Sequence, residues 1–117
     1  MNAPAFDWAE ELPAAVTVCD AQGIIVSMNA AARAVFAADG GGALIGQSLY
    51  GCHPAQANAQ IAEMLARRGS NHYTIQKRGR RKIIHQMPWY RGGIVAGLVE
   101  ISVPIPQEMA HFDRDTK

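Results

Sequence analysis

Apolar residues recur along this chain in two rhythms. AVTVCD (15–20), with a strand expected at about 14–19, and IIVSM (24–28) are short β-branched runs of strand length. Between them, Asp20-Ala-Gln-Gly23 predicts a tight turn, because Asp bonds its own backbone two residues on and Gly tolerates positive φ. Asn29 follows directly. Its side chain can accept from a first-turn N–H, which predicts a helix from Asn29 to about Ala37. Upstream, PAFDWAEE (4–11) predicts a short amphipathic helix with Phe6, Ala9 and Leu12 on one face and Pro13 as its stop. The run 39–42 reads as a flexible loop, and 44–50 as a short helical turn pivoting on Gly46.

Helical spacing returns after Pro54. Ala57, Ile61, Met64, Leu65 and Arg68 share a face of a helix over 55–67, ended by Gly69. Three further strands are expected at 71–77, 81–90 and 93–103, turned by Gly79 and by Gly92-Gly93 and closed by Pro104 and Pro106. The order strand-strand, helices, strand-strand-strand predicts an α+β fold: one antiparallel sheet of five strands with helices on one face. The expected organisation is a single domain, 1–117, with its core at 12–105, an N-terminal helix at 1–11 and a tail at 106–117.

Composition narrows the classes. The chain has 117 residues, 49% hydrophobic and 18% charged, which suits one folded core rather than disorder. Net charge is +1, so no bulk field steers it to nucleic acid. Residues 1–20 lack a basic start followed by an apolar run, and no stretch is long enough to span a bilayer. Cys19 and Cys52 make neither a disulfide framework nor a CxxC motif, which fits a reducing, cytoplasmic setting. The initial Met and polar tail read as a complete small protein.

The order of elements carries a resemblance. Asp20-Ala-Gln-Gly23, Asn29-Ala-Ala-Ala32, Ile45-Gly-Gln-Ser-Leu49 and the closing Gly92-Gly93-Ile-Val-Ala-Gly97-Leu-Val-Glu100-Ile together resemble a PAS domain over about 12–105. Cys52-His53-Pro54 and the Gly93 to Glu100 pattern are similar to bacterial PAS-like modules that accompany hemerythrin-type domains. The resemblance implies strand order 2-1-5-4-3 and a sensing or protein-interaction role. No attached output domain is visible, so the implied partner is a signalling protein in trans.

Such a fold can open a pocket between helices and sheet. The expected ligand-binding residues are His53, Tyr50, Phe36, Met64, Tyr73, His85, Met87 and Trp89. Strand alternation puts Ile83, His85, Met87 and Trp89 on one face and Ile84, Gln86, Pro88 and Tyr90 on the other, and the first set is taken as pocket-facing. His53 is the cofactor candidate: an imidazole there can ligate a heme iron, although the sequence does not identify any cofactor. Cys52 reads as a small buried residue. His72 and His85 are too scattered in sequence to be read as a zinc site, and no metal is expected.

Residues 67–91 hold eight of the eleven basic residues, including KRGRRK at 77–82, which reads as a solvated hairpin tip rather than a nucleic-acid surface. Glu100 interrupts an apolar strand. It is expected either to pair with Lys82 or Arg91 or to face outward. No GxSxG, HExxH, P-loop or GxGxxG is present, and no enzyme is expected. The apolar far side of the last strand, with Phe6 and Trp8, predicts a homodimer built from that face and the N-terminal helix. The competing functions are a small-molecule sensor acting in trans, a ligand-free scaffold for dimerisation or docking, and a small enzyme using Glu100 or His85 as base.

Overall fold

The computed structural model describes residues 6–49, 55–67 and 69–115. An opening hairpin pairs β1 (Ala15–Asp20) with β2 (Ile25–Met28). Helix α1 (Ala30–Val35), two 3-10 turns (Ala37–Asp39 and Gly41–Leu44) and helix α2 (Ala55–Arg67) follow. Then come β3 (Asn71–Lys77), β4 (Arg80–Arg91) and β5 (Ile94–Ile105). The strands form one antiparallel sheet, as the order of elements predicts, and its strand order β2-β1-β5-β4-β3 is the one the resemblance implies.

Both core clusters join the sheet to the helical elements on the same side. In one, Ala15, Ile25 and Met28 pack with Ala32 of α1 and Leu44. In the other, Cys19 of β1 and Leu98 of β5 pack with Ile61 and Met64 of α2. That side is the inner face of the sheet. The Asp20 turn forms as expected: its Oδ1 accepts from Gln22 N at 2.9 Å and Ile24 N at 3.0 Å, and Gly23 takes φ 81°.

Asn29 does more than cap. It is 4% exposed, and its amide meets four backbone groups. Its Oδ1 accepts from Ala32 N and Val16 N, both at 2.9 Å. Its Nδ2 donates to Ala9 O and Ala14 O, both at 2.8 Å. The side chain's donors and acceptor are thereby satisfied, and one residue ties helix, sheet and N-terminal segment together.

The N-terminal segment differs from expectation. Over residues 6–12 the chain turns without forming a helix. Its carbonyls are used elsewhere: Ala9 O accepts from Asn29, and Glu10 O accepts from Ala30 N at 3.1 Å. Glu10 also grips Arg33 at 2.6 and 3.0 Å. Within the segment Leu12 N bonds back to Ala9 O at 3.2 Å, an i+3 turn contact rather than the i+4 bond of an α-helix. Phe6 and Trp8 are exposed, at 91% and 57%, so neither is buried against the sheet. The expected loop at 39–42 is also built differently: 3-10 turns shape it, with Gly40 and Gly41 at positive φ.

Two irregularities set the register. Arg78 and Gly79 both have positive φ, the two-residue type I′ turn that suits the right-handed twist of β3 and β4. It pairs Asn71 with Gln86 and His72 with His85. Between β4 and β5 the register shifts by one: Tyr90 faces Val95 but Trp89 faces Gly97, so Ala96 has no opposite residue. Beyond this bulge Glu100 lies opposite Gln86, and Ile101 opposite His85.

Candidate functional site

The register builds two facing rows across the sheet. On the inner face, Thr17, Glu100, Gln86 and Asn71 align across β1, β5, β4 and β3. One residue further on, Val16, Ile101, His85 and His72 align on the outer face. The inner row is polar and hydrogen-bonded. Asn71 Nδ2 donates to Gln86 Oε1 at 3.2 Å, and Gln86 Nε2 donates to Glu100 Oε2 at 2.8 Å.

That row floors a cavity of about 930 Å³ between the sheet and the helical elements. Volumes of this order are large enough for a drug-sized ligand. Apolar walls come from Ile25, Met28, Phe36, Leu44 and Leu49 on one side, and from Ile61 and Met64 of α2 on the other. Cys19 and Leu98 continue the floor toward α2, and Tyr73 continues it along β3. Asp39 and Gln47 contribute polar groups at the wall.

The electrostatics follow from this placement. Burial, and then the nearby charge of Glu100, push the Tyr73 phenol above its ordinary range, so Tyr73 keeps its proton and remains a donor. Burial raises the Cys19 thiol, which is 2% exposed, so it is held as the thiol rather than the thiolate. Glu100 takes a bond on one carboxylate oxygen from Gln86. Among the described residues nothing else bonds to it, and neither Lys82 nor Arg91 pairs with it, contrary to expectation. The arrangement offers an acceptor and neighbouring amides at the base of an apolar chamber.

Of the residues predicted from sequence, Phe36, Met64 and Tyr73 line this cavity. Tyr50 and His53 lie outside the described residues, as do Cys52 and Pro54. His85 and Met87 are on the outer face, and Trp89 is not part of the cavity wall. Trp89 instead reaches across β5 over Gly97 to donate to Cys19 O at 2.9 Å. The inward-facing set on β4 is therefore Ile84, Gln86 and Pro88, of which Gln86 lines the cavity, rather than Ile83, His85, Met87 and Trp89. The physical reason is that alternation along β4 gives two sets without fixing which one faces the helices, whereas pairing with β5 fixes it. A straight count back from Gly92-Gly93 sets Glu100 opposite His85, whereas the extra residue sets it opposite Gln86. Gln86 and Asn71 are the site residues that sequence reasoning missed. The Arg78-Gly79 turn, counted outward, pairs them and was the available signal.

The heme expectation rests on His53. Among the described lining residues no imidazole faces the cavity, and the soft donors there are Cys19, Met28 and Met64. These residues give heme no His ligand, and no step is assigned to it. No group of three or more His, Cys, Asp or Glu suited to a metal occurs among the described residues.

The family model for the PAS fold matches residues 9–109. Solved structures agree on the fold. A C-terminal domain from Streptococcus mutans is 20% identical, with 82% of this chain and 78% of that one covered and a TM-score of 0.66. A sensory box sensor histidine kinase from Vibrio cholerae is 14% identical, covering 82% of this chain and 85% of that one at TM-score 0.61. The Aer2 receptor of Vibrio cholerae, a dual PAS-heme oxygen sensor, is 17% identical, covering 80% of this chain and 95% of that one at TM-score 0.58. No curated protein matches the chain. No helix among the described residues is long and apolar enough to cross a membrane. With the sheet order, the capped helix and a family match over most of its length all in agreement, this chain belongs to the PAS-fold family.

Proposed function

We infer that this chain is a small-molecule-sensing PAS module that passes its state to a signalling partner in trans. The observation that supports it most is the chamber of about 930 Å³ whose floor is the Asn71–Gln86–Glu100 chain. A scaffold that only docks proteins gains nothing from a carboxylate held in an apolar cavity, where an unpaired charge is costly. The ligand class that fits is a compact apolar molecule bearing an amine or another hydrogen-bond donor. Its donor meets Glu100 and its apolar body meets Phe36, Ile61 and Met64. Charge-assisted bonds of this type are the stronger ones. The open outer face, with Val99, Ile101 and Val103 on β5, supports self-association as the route by which the module joins a partner or a second copy. A sensor histidine kinase and an oxygen sensor among the solved structures of the same fold support the general reading.

The test is a thermal-shift screen of amine-bearing and neutral apolar fragments against the purified chain, alongside Glu100→Gln. Binding amines raise Tm in the parent, by about 2.7 kcal/mol of stabilisation at a hundredfold excess over Kd. The same amines lose most of that gain in Glu100→Gln, while neutral fragments keep theirs. If no fragment of either class shifts Tm and no small molecule co-purifies, the scaffold reading replaces this one.

A further inference from the structure

The outer face of the sheet carries a second constellation, separate from the cavity. His72 and His85 are direct cross-strand partners on β3 and β4, although thirteen residues separate them in the chain. Their rings meet edge to face, with centroids 5.1 Å apart and planes at 64°. Nδ1 of one lies 2.9 Å from Nδ1 of the other. With one ring in its Nδ1–H tautomer, that nitrogen donates to the Nδ1 of the other, so both nitrogens face one small volume at the edge of the sheet. His72 is exposed and His85 half-buried, so that volume opens to solvent.

We propose that His72 and His85 form a two-imidazole chelate for a divalent transition metal of the Ni(II) or Cu(II) class. The spacing supplies the argument. Metal–imidazole bonds are about 2.0–2.1 Å long, so two nitrogens at a right angle about one ion lie about 2.9 Å apart. That is the cis angle of square-planar and octahedral ions, whereas a tetrahedral ion spreads the same two nitrogens to about 3.4 Å. The hydrogen-bonded pair already holds its two nitrogens at a separation that one ion with cis ligands can span once the rings turn. Imidazole also suits both Ni(II) and Cu(II).

Binding needs little rearrangement. The ring that donates its Nδ1–H moves that proton to its own Nε2, the two rings turn so that both Nδ1 lone pairs meet the ion, and no backbone bond breaks. The type I′ turn at Arg78-Gly79 and the β3–β4 ladder hold the two Cα atoms in place beforehand. The described residues nearest in register on that face, Thr74, Ile83, Met87 and Ile101, supply no carboxylate. The remaining coordination positions are left to water or to a group from a molecule docked on the face. The site is independent of the cavity reading, because the sheet separates the two.

Ni(II) is the probe, since it does not oxidise the free thiols. Isothermal titration of the full chain should show one Ni(II) per chain. Paramagnetic broadening should centre on the ring protons of His72 and His85. His72→Ala and His85→Ala should each weaken binding at least roughly tenfold, the equivalent of about 1.4 kcal/mol. His111→Ala, an exposed histidine of the tail, should leave it unchanged. His72→Gln, on an exposed edge strand, repeats the test should an alanine variant lose its fold by circular dichroism. The proposal is overturned if the chain takes up no Ni(II), if either histidine variant keeps the parent affinity, or if the broadening centres on other residues.

Discussion

Asn71 and His72 are neighbours in the chain, as are His85 and Gln86, yet the two pairs face different worlds. Asn71 and Gln86 join Glu100 in a hydrogen-bonded row beneath the helices. His72 and His85 join Val16 and Ile101 in a row on the open side. The inner row is polar and half-buried among apolar cavity walls, so its groups satisfy one another. The outer row grades from buried Val16 through half-buried Ile101 and His85 to exposed His72. Adjacent positions of one ladder thus meet different surroundings.

The most damaging way to break the distinction is at Gly97. It is the point where the bulge resets the register and where Trp89 crosses β5. A Cβ built there lands on the Cys19 carbonyl oxygen and 2.8 Å from Asp20 Cα, both backbone atoms that cannot move aside cheaply. Gly97→Ala should cost at least about 3 kcal/mol, read as a fall in the urea midpoint, and should disturb both faces at once.

A smaller effect separates the faces. Gln86→Leu removes the partner of a carboxylate in a cavity and should destabilise by about 1–3 kcal/mol. The double change Gln86→Leu with Glu100→Leu removes both members and should recover most of that loss. On the outer face, Ile101→Lys should change monomer stability by less than about 1 kcal/mol while reducing self-association in sedimentation measurements. Equal costs on the two faces would refute the contrast drawn between them.

The smallest effect belongs to the strap, which serves neither face. The Arg33 guanidinium, through its hydrogen bonds and then its charge, holds the Glu10 carboxyl below its ordinary value. A carboxyl depressed on folding contributes stability that is present above its unfolded pKa and lost as pH falls through the folded value. The strap should therefore loosen only in acid, below the usual carboxylate range. Glu10→Gln should flatten that dependence in amide-exchange measurements of Ala30, whose N–H binds Glu10 O. The pair is solvent-exposed, so its effect on global stability should be slight.

Most of the architecture was legible in the chain. The β-branched runs gave all five strands to within two residues at each end, and Asn29 announced its helix. The Asp20-Gly23 turn and the Arg78-Gly79 turn carry their conformations in their residue types. The cavity was half legible. Phe36, Met64 and Tyr73 were identifiable because large apolar and aromatic residues near the helices have little else to pack against. Gln86 and Asn71 were not, because alternation sorts a strand into two sets without saying which set faces inward.

Local chemistry determined which segments are strands, where they turn and where the first helix begins, since these depend on residues only a few positions apart. Tertiary structure alone decided which face each side chain took. One unpaired residue, Ala96, shifts β5 against β4 by a single position, and with a side-chain period of two that shift exchanges inside for outside. The β4–β5 register places Glu100 with Gln86, the β3–β4 register places His85 with His72, and the bonds of Ala9 O and Glu10 O to Asn29 and Ala30 tie the N-terminal segment to the start of α1. Such outcomes depend on contacts between residues far apart in sequence, which no local pattern encodes.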